Sequence, residues 1–117
     1  MVSTMPVVRR AHPAVLLVPV AWLAGCFGPA PQGFDSPEPG RRIEAAVRAA
    51  ERGDRSASRP LISMLDSDDP AARLVAIRAL ERITGQTLGY DHAAPEGDRR
   101  RAVERWMAWE AEQGEPR

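Results

Sequence analysis

The chain has 117 residues, with sixteen arginines and no lysine against sixteen acidic side chains, and so carries no net charge. That length holds one small domain. The balanced charge argues against a dedicated nucleic-acid binder, and the single cysteine excludes an internal disulfide or a multi-cysteine metal site.

Residues 1–25 read as a segment outside the fold. Arg9 and Arg10 precede an apolar run from Pro13 to Trp22. The run has signal-peptide length and is too short to span a bilayer as a regular helix. Leu23-Ala24-Gly25-Cys26 follows. This resembles a bacterial lipobox, in which a leucine and two small residues lead to an obligatory cysteine. The resemblance implies cleavage between Gly25 and Cys26, with diacylglycerol on the Cys26 thiol and an amine free for further acylation. Such an anchor is stable, because each buried methylene contributes about 0.8 kcal/mol. It places the mature chain in the bacterial cell envelope. Phe27, being other than Asp, is compatible with the outer membrane under the sorting rule of some double-membraned bacteria. The alternatives are an ordinary signal peptide cut at a nearby small residue and an uncleaved anchor, which Pro13 and Pro19 disfavour.

Residues 26–40 read as the lipidated cysteine and a tether. Pro29, Pro31, Pro37 and Pro39 alternate with Gly28, Gly33 and Gly40, and no apolar period survives. Extended at about 3.1 Å per residue, the tether reaches roughly 40 Å from the bilayer. Phe34 either dips into the headgroups or packs on the domain.

Residues 41–113 read as an all-α domain of four helices, with 114–117 as a tail. Helix one spans Arg41 to Arg52, with Ile43, Ala46, Val47 and Ala50 on its inner face and Gly53 as a stop. Helix two spans about Arg55 to Asp66, capped by Asp54 with a kink at Pro60, or capped by Ser58 with Pro60 in its first turn. Helix three spans Pro70 to Thr84. Asp69 caps it, Pro70 sits where no N–H is needed, and Gly85 ends it. Ala76, Ile77, Leu80 and Ile83 form its inner face. A glycine-rich loop leads to helix four, Asp98 to Gln113, where Ala102, Val103, Trp106 and Trp109 share one face. Leu65, Leu80 and Trp106 are expected in the core.

Arg73 falls between Ile77 and Leu80 on the apolar face of helix three. A guanidinium there needs a carboxylate or carbonyls, because an unpaired buried charge is costly. Asp69 is the expected ion-pair partner, with Asp68 as the alternative. Leu61, Leu65, Asp69, Pro70, Arg73, Ala76, Ala79 and Leu80 together resemble one HEAT repeat: an apolar helix, an Asp-Pro turn, an inward arginine and an Ala/Leu-rich second helix. Ser67 stands where the family often has Asp, and Ala72 where it often has Val. The resemblance implies a short array of helical hairpins that binds proteins, commonly on the side lined by second helices. Here that side presents Val75, Arg78 and Arg82. As a guanidinium strip it reads either as a surface for an acidic partner or as a plainly solvated face, and replacing both arginines is expected to leave melting nearly unchanged.

Two other clusters invite attention. Arg99, Arg100, Arg101 and Arg105 gather at the start of helix four, against its dipole. They read either as an anionic contact surface or as a solvated face balanced by Glu96, Asp98 and Glu104. Tyr90, Asp91 and His92 are the nearest approach to active-site chemistry. No nucleophile elbow, phosphate loop or second imidazole accompanies them, so a packing role is expected. The sequence therefore gives no catalytic or metal-binding residues, no cofactor and no small-molecule substrate. The expectation is a non-catalytic, lipid-anchored interaction module whose partner is another envelope protein. The alternatives are an enzyme accessory or lyase-like HEAT protein, and a structural lipoprotein without a specific partner.

Overall fold

The computed structural model describes residues 33–114. These form four α-helices: α1 (Pro39–Arg52), α2 (Ser58–Met64), α3 (Pro70–Thr84) and α4 (Glu96–Gly114), with a 3₁₀ turn (Arg55–Ala57) before α2. No strand occurs among the described residues, and none of their helices is long and apolar enough to cross a membrane. α3 packs on both α1 and α2, and α4 closes against α2.

α3 forms over the residues its local signals prescribe. The Asp69 carboxylate accepts from the Ala71 N–H at 2.9 Å, Pro70 opens the first turn, and Gly85 ends the helix in a left-handed conformation. α1 begins two residues before the expected start, because Pro39 fits a first-turn position. Its inner face also differs from expectation. Ala45, Ala46 and Ala49 are buried, whereas Val47 is 43% exposed. α1 meets α3 through alanines, so the helices approach closely and the branched side chain is left outside.

The α2 region divides in two, which departs from the kinked helix capped by Asp54 and comes near the alternative that puts Pro60 in a first turn, although Ser58 begins the helix and does not cap it. Asp54 caps a 3₁₀ turn, accepting from the Ser56 N–H at 3.0 Å. The α-helix proper starts at Ser58, which puts Pro60 in the first turn, where it breaks no hydrogen bond. The folded unit also begins before residue 41. Phe34 packs against the core, and Arg42 donates to the Ser36 carbonyl at 2.6 Å, so residues 33–38 belong to the domain.

Leu61, Leu65, Leu80 and Trp106 are the largest fully buried side chains. Trp106 meets Trp109 edge to face, with centroids 5.4 Å apart. The α3–α4 loop is pinned to the helices by side-chain donors. The Trp106 Nε1–H donates to the Thr87 carbonyl at 3.0 Å, the Arg105 Nε–H to Leu88 at 2.8 Å, and the Tyr90 hydroxyl to Leu65 at 2.6 Å. Leu88 and Gly89 both have positive φ, and the Tyr90 N–H bonds the Thr87 carbonyl. That is a type I′ turn with a leucine in a position that costs about 1 kcal/mol or more. The two α4 donors hold it there.

Arg73 is buried, as expected, at 9% exposure. Its partners differ from the expected ones. The Nη1–H donates to the carbonyls of Ser67 (2.8 Å) and Asp68 (3.1 Å), and the Nε–H donates to that of His92 (3.3 Å). Neither the Asp69 nor the Asp68 carboxylate pairs with it; Asp69 is occupied as the α3 cap. The guanidinium therefore ties the α2–α3 turn to the α3–α4 loop.

Two predictions follow from these contacts. Arg73→Met leaves three carbonyls without their donor and is expected to cost about 2–4 kcal/mol in urea unfolding. Asp69→Ala is expected to cost about 1 kcal/mol whether residue 73 is Arg or Met, so a double-mutant cycle shows no coupling. Coupling above about 1 kcal/mol would restore the ion pair.

Tyr90 carries a third. Burial pushes its phenol above the usual value of 10.0, while Arg73 and Arg99 draw it partly back. The folded state thus holds the proton more tightly than the unfolded chain. Its stabilisation is complete below about pH 10 and is lost as pH rises through the folded-state value. The stability gap between wild type and Tyr90→Phe is expected to narrow above about pH 10. Tyr90 is the only tyrosine, so phenolate absorbance reports its ionisation directly. A constant gap would contradict the assignment.

Candidate functional site

α1 and α3 pack through small side chains, and the seam between them is not filled. Ala46, Ala50 and Ala79 form its floor, and Val47, Leu74 and Val75 stand along its sides. The result is an open groove of about 750 Å³. Glu51 on α1 and Arg78, Glu81 and Arg82 on α3 complete it.

The structure thus brings together the three residues expected on this face, Val75, Arg78 and Arg82. It adds Val47 and Leu74, which the sequence pattern did not assign here. Val47 was expected in the core, and Leu74 falls between the inner and outer faces of α3. A signal existed in the alanines: facing helices that meet at Ala46, Ala50 and Ala79 leave their larger neighbours to line a trough.

The charges differ from a guanidinium strip. Arg78 pairs with Glu81 at 3.3 Å, an exposed contact worth about 0–1 kcal/mol. The Arg82 Nε–H donates to the Ala50 carbonyl at 3.1 Å. That carbonyl lies in the last turn of α1, where helical partners run out and a cation is favourable. Arg82 therefore bridges α3 to α1 while its side chain remains exposed. Glu51 makes no ion pair among the described residues. Glu51 stands on the α1 wall, and the α3 wall is mixed, carrying Glu81 beside Arg78 and Arg82.

The other candidates fall to local roles. Arg99 donates to the Ala94 carbonyl at 2.6 Å, and Arg105 to Leu88. Arg100 pairs with Glu96, and Arg101 with Asp98. Each cation of that cluster has a partner in its own domain, so the balanced-face reading fits; Glu104 takes no part in these pairs. The Tyr90 hydroxyl is buried against Leu65, and Asp91 accepts from the Ala93 N–H at 2.9 Å. The His92 Nδ1 lies 3.9 Å from the Asp91 carboxylate, and its backbone carbonyl serves Arg73. Tyr90 and His92 thus anchor the loop, as the packing reading expected. Gly25 and Cys26 lie outside the described residues.

Comparison of the chain with protein-family models, with characterised proteins and with solved structures returned no match.

The two groove arginines are expected to separate in stability measurements. Arg82→Met removes the clasp to Ala50 and should cost about 0.5–1.5 kcal/mol in urea unfolding. Arg78→Ala should stay within about 0.5 kcal/mol of wild type. Equal effects would contradict the distinct placements.

Proposed function

We propose that this chain is a lipid-anchored protein of the bacterial cell envelope whose helical domain, a short HEAT-like array, is a non-catalytic protein–protein interaction module. The observation that carries the reading is the groove. Open apolar side chains lie between α1 and α3, bordered by charges of both signs. Val47 is 43% exposed there, whereas the other large apolar side chains among the described residues, Met107 apart, are at least partly buried. An apolar trough between two helices is suited to a partner helix, which lays its own apolar ridge along it.

The Asp-Pro turn, the inward Arg73 and the two flanking helices support the repeat reading. The lipobox-like Leu23 to Cys26 supports the anchor. Residues 33–38 already pack with the domain, closer to Cys26 than the sequence suggested. Seven residue steps reach at most about 25 Å, so an acylated Cys26 holds the domain near the bilayer surface. The partner is then a protein at the same surface. The mixed border does not favour a partner of one charge: an acidic one would meet Glu51 and Glu81 as well as the arginines.

Two measurements test the reading. Cys26→Ala is expected to abolish fatty-acid labelling and release the protein from membranes; unchanged labelling and retention would remove the anchor. A photoreactive residue replacing Val47 in the anchored protein is expected to give one discrete crosslinked protein, and the same residue at exposed Ser63 none. Equal crosslinking at both positions would remove the groove.

A further inference from the structure

We infer that residues 33–38 are a docked strap that sets how far the domain stands from the membrane. The inference rests on the proposed acylation of Cys26 and adds a device that governs where the groove is presented.

Three contacts hold the strap. Gly33 lies in a left-handed conformation (φ +98°) and close against α1. A methyl carbon on it would stand 3.2 Å from the Ala45 side chain and 3.3 Å from the Arg41 carbonyl. Phe34 packs on the core and lines one depression with Pro60, Ser63 and Met64 of α2. The Ser36 N–H closes a turn on the Gly33 carbonyl at 3.3 Å, and the Ser36 carbonyl accepts from the Arg42 guanidinium at 2.6 Å. The Ser36 hydroxyl then accepts from the Glu38 N–H at 3.2 Å, one residue before α1 begins. These holds are few, and Phe34 and Ser36 are only half-buried. A segment tied down so lightly opens at a lower free energy than the helices beneath it.

Docking changes the reach of the chain. From Cys26 to Gly33 the backbone spans at most about 25 Å. From Cys26 to Pro39, where α1 begins, it spans at most about 45 Å. The docked strap therefore withholds about 20 Å of chain. It does so without entering the groove. At about 100° per residue, Arg41, Ala45 and Arg48 cluster on one side of α1, where Gly33 sits. The groove residues Ala46, Val47 and Ala50 fall around the opposite side. Closed, the strap keeps the groove for partners close to the bilayer; open, it lets the groove meet partners farther out.

The test is neutron reflectometry of the full-length protein in a supported bilayer of phosphatidylethanolamine and phosphatidylglycerol, which reads the distance from headgroups to protein layer. Gly33→Val puts a branched side chain at positive φ and against Ala45, so it is expected to unseat the strap and move the layer outward by up to about 20 Å. Phe34→Ala combined with Arg42→Met removes the other two holds and is expected to do the same. An insertion of the strap's own length ahead of Gly33, with the strap intact, should match both. Circular dichroism should show wild-type helicity in every variant, since the strap precedes α1. A layer that stays at the wild-type distance in both strap variants would overturn the strap, and its movement with the insertion alone would leave the anchor standing. Wild-type protein that washes off the bilayer would overturn the anchor, and the standoff with it.

Discussion

One buried guanidinium sets the frame of this domain. Arg73 reaches from α3 to the carbonyls of Ser67 and Asp68 on one side and of His92 on the other. Those carbonyls lie in the turn before α3 and the loop after it. Without the guanidinium, both segments would hold part-buried carbonyls that have lost this donor, and each such group is costly to leave unmatched. Tyr90, Arg105 and Trp106 extend the same device, each donating to a backbone carbonyl in a neighbouring segment. A small domain buries a modest share of its surface and gains correspondingly from such ties. The donors also fix α4 against α2 and leave α3 free to present its other side to α1.

That other side explains the groove. Alanines let α1 and α3 approach, and they also limit how much of the seam the side chains fill. Val47, Leu74 and Val75 are too large for the contact and remain at its edge. Arg82 spans the seam to the end of α1, so the groove has a fixed floor and one fixed brace. The anchor reading and the groove reading concern different parts of the chain, yet they complement each other. With the proposed anchor at Cys26, the seven residue steps to residue 33 would hold the groove near the bilayer surface.

The legibility of the sequence follows the location of its information. α3 was readable to the residue, because Asp69, Pro70 and Gly85 act locally and agree with one another. The burial of Leu65, Leu80, Trp106 and Arg73 was readable from periodicity. The partners of Arg73 were not, since backbone carbonyls have no sequence signature and Asp69 looked like the nearest acceptor. The division of the α2 region escaped because Pro60 is compatible with both a kink and a first turn. Val47 was misplaced because a hydrophobic period cannot distinguish a valine stripe from an alanine stripe one position away. The internal pairing of Arg99, Arg100, Arg101 and Arg105 was only half visible: the acidic partners Glu96 and Asp98 are nearby in sequence, whereas the Leu88 carbonyl is not.

The central claim is that this face of the domain is covered in the working protein. Carbene footprinting of the full-length protein in the cells that make it tests it most directly, with Met107 on α4 as an internal reference, since it is 59% exposed. The account predicts that Val47, Leu74 and Val75 are shielded relative to the same residues in dilute monomer, while Met107 labels equally in both states. Val47 labelling undiminished in those cells, in step with Met107, would contradict it.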